Sequence, residues 1–123
     1  MDFRIELVPI ASTDVDRTKA FYERVGWSAE FDQTPVEGLR FVQVTPPGSA
    51  CSFCFGTGLQ MFPEGQTQHI QVVVADADAA RAELSARGIE CSDVQELAWG
   101  RFVRFADPDG NQWSLQQLPA RSS

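Results

Sequence analysis

The sequence predicts an α+β protein built from two repeated β-α-β-β-β units, whose curved mixed sheets surround a concave cleft and carry the helices outside. A helical segment capped by aspartate and ended by glycine occurs twice, beginning at Asp14 and at Asp76. An Arg-Phe-Val strand also occurs twice, at 40–42 and 101–103. One helix followed by three strands does not build a parallel doubly wound sheet, because that sheet requires helices between most of its strands.

The first unit is expected to span about residues 3–56. It opens with a β-rich run in which Pro9 suggests a bulge or an unpaired side. Helix-capping residues and apolar residues at helical spacing then predict an amphipathic helix from Asp14 to Val25, which Gly26 ends. A polar connection is expected at 33–38. Alternating apolar residues predict three further strands, at 27–31, 39–44 and 50–55.

The second unit is expected to span about residues 68–118, after a linker at 57–67. It closes with a hairpin over 101–117, whose turn reads Asp-Pro-Asp-Gly-Asn at 107–111. Proline presets φ, the aspartates accept hydrogen bonds from their own backbone, and glycine accommodates positive φ. We interpret residues 1–123 as a single domain composed of these two units.

The amino-acid composition and charge exclude several classes of function. A net charge of −7 without a basic cluster argues against nucleic acid, and it either suits a cationic ligand or only maintains solubility. No apolar run reaches the ~18 residues of a membrane span, and no signal peptide is visible, so a cytoplasmic protein is expected. Cys51 and Cys54 have the CxxC spacing but alternate along a strand, which favours reduced thiols over a zinc or redox site.

Strand alternation assigns faces in the second unit. In the run 69–74, Ile70, Val72 and Val74 are expected to pack on the helix. His69, Gln71 and Val73 are then expected to line the concave side.

Three stretches, 8–27, its repeat at 69–88 and the closing 105–115, resemble the vicinal oxygen chelate superfamily, which includes glyoxalase I, extradiol dioxygenases, and fosfomycin and bleomycin resistance proteins. Its metal-dependent members place a ligand seven residues before each helix-capping Asp and another on the last strand of each unit. Counting from the motifs places these positions here at Leu7, Phe53, His69 and Ser114. Only His69 is a competent ligand, so no metal and no cofactor are expected.

The resemblance implies a metal-free concave pocket with apolar walls and a few polar groups, a composition typical of small-molecule sites. Trp113 is expected in the core, because its parity opposes Ser114, whereas Trp99 is the better candidate for a pocket rim. The predicted ligand-binding residues are Leu7, Phe53, Phe55, His69, Gln71, Trp99, Ser114 and Gln116.

The first hypothesis is a metal-free small-molecule-binding protein, similar to bleomycin resistance proteins, that sequesters a cationic or aromatic drug or metabolite. The resemblance also implies a homodimer. The second is a glyoxalase- or dioxygenase-like lyase or oxygenase with an altered metal site or metal-free catalysis, for which His69 is the candidate acid or base. A third is a subunit or regulator whose concave face is filled by its own side chains.

Overall fold

The computed structural model describes residues 1–59 and 66–120. The chain forms two compact units, Met1–Gln68 (unit one) and His69–Ser123 (unit two). Each unit contains one helix and a four-stranded mixed sheet, which confirms the predicted α+β class and the two β-α-β-β-β units.

The two units contain the same elements in the same order. Unit one consists of β1 (Leu7–Pro9), α1 (Val15–Val25), β2 (Ala29–Val36), β3 (Leu39–Val44) and β4 (Ser52–Thr57). Unit two consists of β5 (His69–Val73), α2 (Ala77–Ala86), β6 (Gln95–Leu97), β7 (Gly100–Ala106) and β8 (Gln112–Gln117). The strand orders are β1-β4-β3-β2 and β5-β8-β7-β6. In each sheet the first strand pairs in parallel with the last, and the other pairs are antiparallel.

Both helices begin at the predicted capping aspartates. The Asp14 carboxylate accepts a hydrogen bond from the Arg17 backbone N–H at 3.1 Å, and Asp76 accepts one from that of Ala79 at 3.0 Å. These bonds satisfy donors that the first turn of a helix otherwise leaves unpaired. Helix α1 ends where Gly26 adopts a φ of 104°, the left-handed conformation that glycine accepts without steric cost.

Aromatic side chains fill the space between each helix and its sheet. In unit one the ring of Tyr22, from α1, lies 4.8 Å from that of Phe53 and 6.1 Å from that of Phe55, measured between centroids. In unit two Trp113 is 1% exposed and stacks on Phe105 at 6.2 Å, which confirms the prediction that it belongs to the core.

Strand β2 continues to Val36, although a polar connection was predicted from residue 33. The prediction ended the strand early because the segment contains Pro35, and proline usually interrupts a sheet. Strand β2 lies at the edge of its sheet, where a missing N–H is tolerated.

The predicted linker at 57–67 overlaps β4 at Thr57, and its part at 60–65 lies outside the described residues. Within the described parts of the chain, no helix is both long and apolar enough to cross a bilayer.

A charge cluster joins α1 to the sheet of unit one. The Asp32 carboxylate accepts hydrogen bonds from Lys19 Nζ at 2.8 Å and from Arg40 Nε and Nη2 at 3.0 and 2.8 Å. Arg40 also pairs with Asp16 at 2.7 Å. The Arg40 guanidinium, and next the Lys19 ammonium, hold the pKa of Asp32 well below its usual range.

Removing the Asp32 charge should therefore have a pH-dependent effect on stability. A carboxylate whose pKa is depressed by folding stabilises the native state above its unfolded pKa, near ~4, and this contribution disappears as the pH falls through the folded pKa. We expect Asp32→Asn to lower the free energy of unfolding by about 1–2 kcal/mol near pH 7. Urea denaturation at pH 7, 5 and 3 should show the difference from wild type shrinking only below pH ~4. A difference that does not change with pH would contradict this explanation.

Candidate ligand-binding face

Each sheet has one face covered by the helix of its unit and a second face on the other side, called the distal face below. The helix face of unit two is identified by Gln117, whose Oε1 accepts a hydrogen bond from the backbone N–H of Ala77 at the start of α2, at 2.9 Å. Trp113 and Leu115 lie four and two residues before Gln117 on β8, so their side chains are on the same face as that of Gln117, and both are buried. The alternate residues of β8, including Ser114 and Gln116, therefore belong to the distal face.

Hydrogen bonds connect the predicted polar residues on the distal face of unit two. His69 Nε2 lies 2.8 Å from Ser114 Oγ, and Gln71 Nε2 donates to Gln116 Oε1 at 2.7 Å. Gln116 Nε2 donates in turn to the Trp99 carbonyl at 2.9 Å. The structure thus brings the four polar residues together on one face, as alternation predicted. Whether they contact a ligand stays a prediction.

Trp99 lies in the turn between β6 and β7, and its side chain is 61% exposed. Its carbonyl, rather than its ring, is held by Gln116. Trp99 is therefore an exposed residue at the turn end of the sheet, and its place at a pocket rim stays a prediction.

Two further residues of this face were missed by the sequence analysis, Phe102 and Arg104 of β7. They pair directly with Gln116 and Ser114 across the β7–β8 ladder. The Arg104 guanidinium lies over the Phe102 ring at 5.5 Å, and its Nη1 donates to Gln95 Oε1 at 2.6 Å. Alternation along β7 is the sequence signal that places Phe102 and Arg104 on one face, because they lie two residues apart in the strand.

In unit one the predicted placement of Phe53 and Phe55 beside Leu7 is wrong. The parallel register pairs Leu7 with Ser52 and Val8 with Phe53, so Leu7 and Phe53 point to opposite faces. Phe53 and Phe55 pack on Tyr22 of α1 and form the core. Leu7 lies on the distal face.

A difference in loop length explains this error. Val44 pairs with Phe53 nine residues later, whereas its equivalent Phe105 pairs with Trp113 eight residues later. Counted between these equivalent pairs, the β3–β4 connection is thus one residue longer than the β7–β8 connection, and a constant offset fails beyond it. The counterpart of Ser114 is Cys54 rather than Phe53.

The distal face of unit one combines aromatic and polar side chains. Phe31, which is 49% exposed, pairs with Gln43, and Gln43 pairs with Cys54. The Glu30 carboxylate accepts hydrogen bonds from Thr45, from Ser52 at 3.3 Å and from Gln43 at 3.4 Å. These bonds, that of Thr45 foremost, lower the pKa of Glu30.

The residues in the four ligand positions do not fit a divalent metal ion. Unit two offers His69 and the hydroxyl of Ser114. Unit one offers Leu7 and Cys54, and burial raises the pKa of the Cys54 thiol to about 11, which disfavours the thiolate that metals bind. Across 1–59 and 66–120, no three His, Cys, Asp or Glu side chains come together in a geometry suited to a metal.

Comparison with known proteins shows the family to which the chain belongs and several solved structures that it resembles. Residues 4–115 match the model of the Glyoxalase/Bleomycin resistance protein/Dioxygenase superfamily. TnmS3, an antibiotic binding protein from Streptomyces sp. CB03234, is 31% identical, with a TM-score of 0.82 over 96% of this chain and 98% of that one. A glyoxalase/bleomycin resistance protein from the same Streptomyces is 33% identical, with a TM-score of 0.77 over 93% and 100%.

A bleomycin-binding protein solved with bleomycin is 20% identical, with a TM-score of 0.68 over 97% of this chain and 100% of that one. At this identity the likeness concerns the fold alone. No curated protein matches the sequence.

Proposed function

Because the chain belongs to the glyoxalase/bleomycin resistance protein/dioxygenase superfamily, we propose that it is a metal-free protein that binds and sequesters an aromatic drug or metabolite. The observation that carries the proposal is the hydrogen-bonded group on the distal face of unit two, formed by His69, Ser114, Gln71 and Gln116. TnmS3, an antibiotic binding protein that is 31% identical over nearly the whole chain, supports a drug as the ligand.

The polar groups of this face suit recognition more than structural support. Gln71 and His69 are exposed, while their partners Gln116 and Ser114 are buried, so each pair presents one accessible polar side chain held by a fixed one. A ligand that meets such pre-positioned groups loses less entropy on binding than one that must order them.

Ligand titration tests the proposal. Binding to the native state alone stabilises it, by about 2.7 kcal/mol when the free ligand is at a hundred times its Kd. A panel of aromatic antibiotics, including bleomycin, should contain compounds that raise the melting temperature and change tryptophan fluorescence. Gln71→Ala should weaken that binding roughly tenfold by removing one hydrogen bond. Gln66→Ala, in an exposed residue outside both sheets, is the matched control and should leave affinity unchanged. A panel with no response would contradict the proposal.

A second candidate function is metal-free catalysis, favoured by the 2.8 Å separation of His69 Nε2 and Ser114 Oγ. In this geometry His69 can accept or return a proton through the serine hydroxyl. Turnover of a bound compound that is lost in His69→Gln, while its binding is retained, would favour this candidate over sequestration.

The proposal includes a homodimer in a reducing, cytoplasmic compartment. Large apolar side chains on strand ends and turns, Val36, Val73 and Trp99, are more than half exposed within the chain and are available to a second copy. The three cysteines, all within the described residues, are thiols. Sedimentation velocity measures the oligomeric state directly.

A further inference from the structure

We propose that Arg104 is the specificity-determining residue of the distal face of unit two, where it binds a carboxylate or another oxyanion carried by the aromatic ligand. This inference rests on the proposed function and narrows the proposed ligands from aromatic compounds to aromatic compounds that carry an acidic group. It concerns a residue that neither the family's ligand positions nor the predicted site included.

Comparison of the three strand arginines distinguishes Arg104. Arg40, on β3, lies within hydrogen-bond distance of Asp16 at 2.7 Å and Asp32 at 2.8 Å. Arg101, on β7, pairs with Asp78 at 2.8 Å and Glu96 at 3.1 Å. In the described parts of the chain, no carboxylate oxygen lies within 4.0 Å of the Arg104 guanidinium. Among residues 1–59 and 66–120, the half-buried Arg104 guanidinium therefore lacks acidic partners of the kind that Arg40 and Arg101 possess.

The surroundings of Arg104 hold its guanidinium without neutralising it. Gln95 accepts from Nη1 through a neutral amide oxygen, and the Phe102 ring lies beneath the guanidinium at 5.5 Å. Guanidinium carries five N–H donors in a planar fork that matches the two oxygens of a carboxylate. Because one nitrogen and one side of the plane are already occupied, the Nε and Nη2 groups keep a fixed orientation for an incoming anion.

The side chains that the strands of unit two place on the distal face supply hydrogen bonds but no negative charge. Arg104 pairs across the ladder with Ser114, which pairs in turn with Gln71, so the three form one row across the sheet. The residues that β5 to β8 place on this face are histidine, glutamine, serine, arginine and uncharged apolar residues, with no Asp or Glu among them.

The local charge thus opposes that of the whole chain. A net charge of −7 suggests a cationic ligand when it is averaged over the surface. Over the few ångströms that a bound group spans, however, the nearest charge dominates, since solvent ions screen distant ones over about 8–10 Å. The Arg104 guanidinium favours an acidic group at this position and disfavours an ammonium.

Three fluorescent probes with one ring system test the inference: 9-anthracenecarboxylate, neutral 9-anthracenemethanol and cationic 9-anthracenemethylammonium. Wild type should bind the carboxylate at least tenfold tighter than the alcohol, because a charge-assisted hydrogen bond exceeds a neutral one by roughly this factor. Arg104→Gln should abolish the preference and Arg104→Lys should retain part of it. Arg101→Gln, an arginine of the same strand on the helix face, is the matched control and should retain all of it.

The outcomes separate this inference from the proposed function. Equal binding of the three probes by wild type, or a preference that survives in Arg104→Gln, would overturn the role of Arg104 and leave aromatic binding intact. Absence of binding by all three would contradict both. Melting temperatures of the variants, measured without probe, establish that each comparison uses folded protein.

Discussion

Replacing Phe53 with alanine is expected to lower the free energy of unfolding by about 3–5 kcal/mol, the usual cost of removing a buried phenyl ring. Phe53 is 2% exposed, and its ring centroid lies 4.8 Å from that of Tyr22 and 6.1 Å from that of Trp27. The truncation would leave a cavity between α1 and the sheet of unit one. Equilibrium denaturation in urea measures the change.

Phe31→Ala is the matched control for this experiment. It removes the same ring from an edge strand of the same unit, at a position that is 49% exposed, and should cost less than about 1 kcal/mol. If the two substitutions had equal effects, the assignment of Phe53 to the helix face would be wrong. Ligand binding by folded Phe53→Ala protein should be unchanged at low denaturant, because the ring lies on the side away from the distal face.

Asp107→Ala is expected to lower the free energy of unfolding by about 3–4 kcal/mol, since it removes a carboxylate that organises the β7–β8 turn. Asp107 Oδ1 accepts from the backbone N–H groups of Asp109 and Asn111, at 3.0 and 2.9 Å. Its Oδ2 accepts from Asn111 Nδ2 at 2.8 Å. Asn111 is fully buried, so its amide would lose that partner out of reach of water.

Asp107→Asn should have an intermediate effect, because the amide retains one oxygen for the backbone donors but opposes its own NH₂ to that of Asn111. Ser49→Ala provides the control in the equivalent turn of unit one, where the serine hydroxyl makes exposed bonds with Cys51. Its cost should stay below about 1 kcal/mol. Urea denaturation of the three variants gives the comparison, and a cost for Asp107→Ala as small as that for Ser49→Ala would contradict it.

The sequence predicted the fold well where local chemistry determines structure. The caps at Asp14 and Asp76, the stop at Gly26 and the turn at 107–111 each depend on residues a few positions apart. The structure confirms all four, and strand β3 has the predicted bounds. The continuation of β2 through Pro35 was missed because it depends on which strand lies at the sheet edge, a property of the whole sheet.

The face on which the predicted site residues lie was assigned correctly in unit two and incorrectly in part of unit one, for a geometric reason. Strands β5 and β8 alternate regularly, so His69, Gln71, Ser114 and Gln116 could be assigned to one face directly. Phe53 was instead assigned by counting across a loop, and one additional residue there exchanges the two faces of the following strand. The Arg-Phe-Val motif aligns the two units only up to the strand before this loop. It therefore does not reveal the additional residue, which comes after the motif.

The parallel pairing of the first strand with the last has a consequence for biosynthesis. As the chain leaves the ribosome, β1 emerges first but finds its hydrogen-bonding neighbour only when β4 has followed. Helix α1 and strands β2 and β3 are synthesised during that interval. Closure of the sheet therefore requires a contact between segments that are distant in sequence, which slows folding. Nascent chains of unit one therefore expose an unsatisfied edge of β4 until β1 docks, and that interval is when association with chaperones, or with other nascent copies, would compete with folding.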